Sequence, residues 1–372
     1  MNTRANFLAK TDFHRDLHAR VDRYFESVTC SRKADWSMYL KTVVMLAWLS
    51  GSYALLVFVP MTPALTIAVA ISLGLAMAGV GFNIQHDGNH GAYSDRAGTN
   101  HLMALTLDLL GGTAYFWHYK HNLAHHTHPN IDGHDDDINV GILGRMSPHQ
   151  RRYAHHRYQH LYMWLLYALL AIEWQLTGEF RNYFTKDRYG HFLVPRPAGH
   201  ERTIFWVGKV IFFLLAFALP LWHHRVADVV VIYLVAAGTL GITLAVVFQL
   251  AHCSDRALFR QVTAPSFEVP RGWAEHQVET TVDFARSNRW LSWYLGGLNF
   301  QIEHHLFPKI CHVHYAALAP LIEETCRAHE VRYFAHPTMR AALASHVRLL
   351  RWLGTAADEI EMGDAGELEP NG

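Results

Sequence analysis

ALTIAVAISLGLAMAGVGFNIQHDGNH, residues 64–90, is the stretch that decides the fold. Residues 64–84 carry no charge and are long enough to cross the hydrocarbon core of a bilayer, which takes about 20 apolar residues in a helix. Directly beyond them stands His86-Asp87-Gly88-Asn89-His90. Residues four apart stack on one helix face, so this is an apolar span that ends in two imidazoles aimed the same way. A single H-x-x-x-H arises often by chance, and its weight depends on whether the pattern recurs.

The span recurs. Residues 43–60 are uncharged and are joined to the 64–84 span by Met61–Pro63, a link that suits a tight transmembrane hairpin. A second hairpin is expected from 204–222, apolar except for Lys209, and 229–251, again uncharged. Lys209 lies near one end, where a long side chain can snorkel. Residues 102–116 and 161–172 are short for spans and suit helices that lie in or dip into the interface.

Basic residues set the orientation. They crowd the segment before the first span (Arg4, Lys10, Arg15, Arg20 and others) and the middle segment (Lys120, Arg145, Arg151, Lys186 and others), whereas the two hairpin turns hold only Arg225. The N-terminus, the middle segment and the C-terminus are therefore expected on the cytosolic side. Residues 1–42 form an N-terminal cytosolic segment and 43–345 the principal domain, with a cytosolic cap from 86–203 and 252–345. Residues 346–372 read as a partly disordered tail ending in GDAGELEPNG. The fold class expected is an all-α membrane protein: four transmembrane helices in two hairpins beneath a helical cap.

The composition is consistent with this. Lysine plus arginine and aspartate plus glutamate each total 32, without the basic excess of a nucleic-acid binder. The four cysteines, Cys30, Cys253, Cys311 and Cys326, form no C-x-x-C pair and read as reduced thiols. The 28 histidines are a surplus, and histidine is the commonest metal-ligating side chain.

Four histidine groups carry the pattern. His86 and His90 follow the second span, and His252 follows the fourth. His121-Asn122-Leu123-Ala124-His125-His126 and Gln301-Ile302-Glu303-His304-His305 lie in the cap. Helical spacing lets each cap group aim two or three side chains at one point. All four groups fall on the same side of the membrane. The candidate ligands are His86, His90, His121, His125, His126, His252, His304 and His305, more than one metal takes, so a two-metal centre is expected. Imidazole suits iron, zinc, copper and nickel alike. Neither H-E-x-x-H nor the E-x-x-H pairs of carboxylate di-iron bundles occur. Asp135, Asp136 and Asp137 follow the second group and either hold imidazole N–H groups or form an acidic solvated loop. His155-His156 and His223-His224 read as solvated or interfacial. His101, His118, His128, His134, His312 and His314 lie near the boxes as supporting or purely structural residues.

The order H-x-x-x-H, H-x-x-x-H-H, Q-x-x-H-H between two membrane hairpins, with HHLFP at 304–308 and Tyr315 beyond, resembles the integral-membrane fatty-acid desaturases over roughly residues 40–345. Gln301 resembles the front-end branch, which desaturates between an existing double bond and the carboxyl end. The resemblance implies two irons held by the seven box histidines, with His252 matching the extra histidine after the fourth span. Gln301 stands where many relatives have a histidine, which leaves its ligation open. Gln249 is placed to hold a metal-bound water or is a polar residue at a helix end. The resemblance also implies oxygen-dependent desaturation of a fatty-acyl chain carried on coenzyme A, a carrier protein or a lipid. Dioxygen is co-substrate, and a cis double bond is the product. No HPGG haem motif occurs, so electrons are expected from a separate carrier such as a cytochrome b5 or a ferredoxin. Related di-iron enzymes hydroxylate, epoxidise or make alkynes with the same boxes. A membrane metal transporter is the rival of another class, but transporters place ligands near the bilayer midplane, and these spans hold almost no histidine.

Overall fold

A computed structural model describes residues 4–8, 10–185, 188–261 and 266–356. The acidic stretch GDAGELEPNG and Lys186 lie outside the described residues. The architecture is all-α, and among the described residues four helices are long and apolar enough to cross a membrane: Trp36–Phe58, Pro63–His90, His200–His223 and Val226–His252.

Local chemistry sets the span starts. The Asp35 carboxylate accepts from the Met38 N–H at 3.1 Å and caps the first span. Thr62 caps the second, with Pro63 in its first turn, where the missing N–H costs nothing. The first span starts at Trp36 rather than Val43 and takes in Lys41. That lysine is buried, with Nζ 2.9 Å from His312 Nε2, so a buried polar partner extends the helix past the uncharged run. The second span does not stop at residue 84: a π-helical turn, Gly81–Gln85, carries it into His86–His90.

Small residues bring the helices together. A Cβ on Gly74 would lie 2.5 Å from the Ala236 carbonyl oxygen, and one on Gly241 would lie 2.7 Å from that of Tyr167. The second and fourth spans thus touch at Gly74, and the helix Gln159–Glu173 lies against the fourth span at Gly241. That helix continues through a π-helical turn, Trp174–Gly178, into Glu179–Phe184. It is longer than its apolar run 161–172 indicates, because Glu173 and Glu179 find partners in Arg181 and Lys209. Leu161, Leu165 and Leu169 form an exposed stripe along it, a face that suits the membrane interface. The 102–116 region folds as short helices, Ala97–Ala104, Thr106–Leu109 and Ala114–Trp117.

In the cap, the amphipathic helix Asp12–Val28 lays Phe13, Leu17, Val21 and Phe25 against Ile302, Leu306, Leu318 and Ile322. Among the described residues, strands occur only as two-stranded pairs. One joins Arg4–Leu8 in parallel to Ser266–Gly272. Residues 346–355 are not tail. They complete the helix Met339–Thr355, which buries Leu349, Leu350 and Leu353. Its apolar positions recur at helical spacing and its N-terminus is capped by Thr338, so this stretch has a core to join. The cysteines are free, with Cys253, Cys311 and Cys326 buried.

Candidate metal centre

The four histidine groups meet at one place. His86, His90, His121 and His304 offer ligand nitrogens that all lie within 4.8 Å of one another, and so do His125, His252 and His305. His126 joins His304 and His305 in a third overlapping set. Every one of these eight side chains is buried. The second and fourth spans deliver His86, His90 and His252, and the helix Gln301–Leu306 delivers His304 and His305.

The second group is wound differently from the α-helix its spacing suggests. His118–His125 is π-helical, and the His126 N–H donates to the His121 carbonyl at 3.0 Å. In a π-helix residues five apart come into line, so His126 stands beside His121, with their Nε2 atoms 3.2 Å apart.

The ring orientations share one plan. His125 Nδ1 lies 3.1 Å from both Asp135 oxygens, His305 Nδ1 is 2.9 Å from Gln277 Oε1, and His304 Nδ1 is 3.2 Å from the Tyr315 hydroxyl. An acceptor at Nδ1 fixes the proton there and leaves Nε2 as the lone-pair donor. The Nε2 atoms of His86, His90 and His304 are buried without a hydrogen-bond partner. His252 Nε2 faces His305 Nε2 at 3.1 Å. Buried polar atoms left unpaired are costly, and a cation among these inward-facing nitrogens would satisfy them. The residues therefore fit two metal ions.

The electrostatics agree. Burial pushes His121 down to about 3, although Asp137 opposes it. Burial and then neighbouring imidazoles hold His126, His304 and His305 well below the ordinary histidine value. Neutral imidazole is the form that binds metal. His125 alone is raised: burial disfavours its charge, and Asp135 and Asp137 outweigh burial.

The three aspartates separate. Asp135 is buried against His125. Asp137 lies 3.6 Å from His125 Nδ1 and 3.9 Å from His121 Nδ1, and pairs with Lys120 at 3.1 Å. Asp136 is half-buried and adds to the negative field on Lys120. Gln249 donates from its amide to the Asp137 carbonyl at 3.2 Å, and its Oε1 is buried without a partner. Gln301 is buried at the start of its helix.

Other histidines sort by contact. His155 is exposed, but His156 is buried rather than solvated, because Gly354 packs onto its carbonyl. His312 is buried with Nδ1 2.9 Å from Asp87. His128 and His134 are buried, whereas His101 and His118 are exposed. Spacing alone missed Gln277, which arrives on the helix Trp273–Glu279 and also donates to the His126 carbonyl at 3.1 Å. It missed the Glu303–Asp283 pair as well. Both carboxyls are pushed up, chiefly by burial, and the Tyr333 hydroxyl lies 3.0 Å from the first and 2.6 Å from the second.

A narrow apolar cavity descends from this cluster between the helices. Its lining includes His86, Phe248, Met77, Leu240 and Leu244. Met77 lies nine residues before His86, roughly 13 Å at about 1.5 Å per residue.

The fatty acid desaturase family model matches residues 62–337. The chain belongs to the fatty acid desaturase family. It is 36% identical over 356 residues to an sn-1 linoleoyl-lipid 6-desaturase of Arthrospira platensis, covering 94% of each chain. It is 35% identical to the enzyme of the same name from Synechocystis, over 95% of this chain and 99% of that one. An acyl-lipid (8-3)-desaturase of Physcomitrium patens is 36% identical over 92% of this chain and 72% of its own. This family member is an oxidoreductase that desaturates fatty-acyl chains, and its buried histidine clusters fit a metal centre.

Proposed function

We propose that this desaturase inserts a cis double bond into an acyl chain esterified to a membrane lipid, using two irons held by His86, His90, His121, His125, His126, His252, His304 and His305. The observation that carries the reading is the inward convergence of these imidazoles at the head of an apolar cavity whose wall includes His86. The lipid-linked substrate is supported by relatives named for acyl-lipid and linoleoyl-lipid desaturation. Gln301 supports front-end placement of the bond.

When bound, the two irons supply the activation of dioxygen needed to break an unactivated C–H bond. In balance, two hydrogens leave adjacent carbons, dioxygen takes them up with two electrons and two protons, and two waters depart. The electrons come from a separate carrier docking on the cytosolic cap. The chain's own residues do the rest. Asp135, Gln277 and Tyr315 fix the imidazole tautomers, Asp137 holds His121 and His125 from the same side, and Gln249 Oε1 is placed to accept from a metal-bound water. The cavity excludes water and presents the methylenes in one orientation, which decides which carbon reacts.

The test is product mass from defined acyl lipids incubated with iron-loaded protein, dioxygen and a reducing system. Loss of two hydrogens is expected. Gain of one oxygen indicates hydroxylation or epoxidation, and a triple bond located by fragmentation of the product indicates alkyne formation, which at an existing double bond also loses two hydrogens. Either would overturn the outcome proposed for this site.

A further inference from the structure

Away from the metal centre, one face joins exposed apolar side chains to exposed arginines. The turn Gly141–Leu143 leaves Ile142 63% and Leu143 54% exposed. Its carbonyls are nonetheless engaged. That of Ile142 accepts from His155 Nε2 at 2.7 Å and from His156 Nε2 at 3.0 Å, and that of Leu143 accepts from the Tyr162 hydroxyl at 2.8 Å. Backbone groups satisfied by the chain itself are what an apolar medium demands. The apolar surface continues along the helix Gln159–Glu173, where Leu161, Leu165 and Leu169 are exposed, with exposed Tyr158 just before its start.

Arginines rim this face. Arg151, Arg152 and Arg157 are exposed on the segment between the turn and the helix, and Arg351 is exposed on the helix Met339–Thr355. That helix closes on the segment: a Cβ on Gly354 would lie 2.3 Å from the His156 carbonyl oxygen. Buried Arg145 ties the two together through the Pro148, Leu353 and Ala356 carbonyls. Among the described residues no carboxylate pairs with Arg151, Arg157 or Arg351, and Asp255 is taken by Arg348 at 2.7 Å. Arg151 lies over the Tyr153 ring at 5.2 Å and Arg157 over that of Tyr158 at 4.5 Å, and tyrosine is enriched where a membrane meets water.

Packing sets the depth. Met163 and Leu353 share a buried cluster with Cys253, the residue that follows the fourth span. The start of the helix Gln159–Glu173 is therefore level with the end of that span, where lipid headgroups stand.

We propose that this face docks anionic lipids of the surrounding bilayer, with Ile142, Leu143, Leu161 and Leu165 among the acyl chains and Arg151, Arg152, Arg157 and Arg351 on the headgroups. A zwitterionic surface offers these charges no net attraction, whereas an anionic one contributes roughly fivefold in binding for each arginine near it.

The test uses the full chain, purified in detergent and offered an equal mixture of phosphatidylglycerol and phosphatidylcholine with identical acyl chains. Native mass spectrometry reads the lipid retained. Wild type is expected to retain phosphatidylglycerol in preference. The Arg151→Gln, Arg152→Gln, Arg157→Gln triple variant is expected to lose that preference, by roughly fivefold for each arginine removed, at unchanged helical and iron content. The matching lysine variant is expected to keep it. If the triple variant does not fold, Arg151→Gln alone carries the test with a loss of roughly fivefold. The Ile142→Ser, Leu143→Ser variant is expected to retain less of both lipids, and unchanged retention would contradict the burial of the turn among acyl chains. Equal retention of the two lipids by wild type, or an undiminished preference in the glutamine variant, would overturn the site. So would displacement of the lipid by inorganic phosphate at the same concentration, the mark of a plain anion site. A preference that emerges only when residues 357–372 are removed would give the arginines to that acidic stretch and overturn the lipid as their partner.

Discussion

His121 and His126 are five residues apart, and their Nε2 atoms lie 3.2 Å from each other. An α-helix would rotate the second ring away from the first. The π winding of His118–His125 aligns them, and this places a third imidazole of the box at the centre. His126→Ala is expected to keep the helical content, measured by circular dichroism, and to lose metal and nearly all turnover. Full iron content in that variant would remove His126 from the ligands.

Asp135 accepts from His125 and also from the backbone N–H groups of Asn130 at 2.9 Å and Asp137 at 3.0 Å. Asp135→Asn disturbs the tautomer of His125 and should cost roughly 10–100-fold in metal affinity or activity. Iron titration of the apo-protein checks this. Asp135→Ala should in addition lower the melting temperature, since a buried N–H left unpaired costs about 1–3 kcal/mol.

Gly241 lies where the Gln159–Glu173 helix crosses the fourth span. Gly241→Val puts a side chain against the Tyr167 and Ala168 carbonyls, and overpacking of this kind costs about 1–3 kcal/mol. Thermal unfolding in detergent should shift down. Because that helix also lines the cavity through Ala171, turnover should fall with it.

Asp108 is buried beside Glu179 and is pushed up to about 7 from 3.8, chiefly by burial. A carboxyl raised on folding binds its proton more tightly in the folded state. Its contribution is therefore most favourable below the unfolded value and is lost as pH rises towards 7. Asp108→Asn keeps an acceptor for the Ala114 N–H, now at 3.1 Å, and removes the titration. Melting temperature measured between pH 5 and 8 should fall with pH in the wild type and fall less in the variant.

The spans and boxes were legible because their signals are local. An uncharged run of bilayer length needs no partner to be recognised, and His86 with His90 or His304 with His305 follow from helical spacing. What was hidden is of two kinds. One is winding: the π turns at Gly81–Gln85, His118–His125 and Trp174–Gly178 share residue types with α-helix and show only in hydrogen bonds. The other is long-range pairing. Gln277 stands 28 residues from His305, and Tyr233 stands 58 from Gln175, with no periodicity linking either pair. The helix through 346–355 was masked by the acidic residues that follow it. Lys41 lengthened the first span because its charge meets His312 rather than water.

The proposed function stands on eight inward-facing imidazoles that would hold two irons. The most direct test is the metal content of the purified, detergent-solubilised protein, with iron supplied during expression, against a His125→Ala, His304→Ala double variant. These two side chains stand in different convergent sets, so the pair of changes strikes both metal positions. About two irons per chain are expected in the wild type and nearly none in a double variant of unchanged helical content. Zinc in place of iron, or iron retained in full by the double variant, would contradict it.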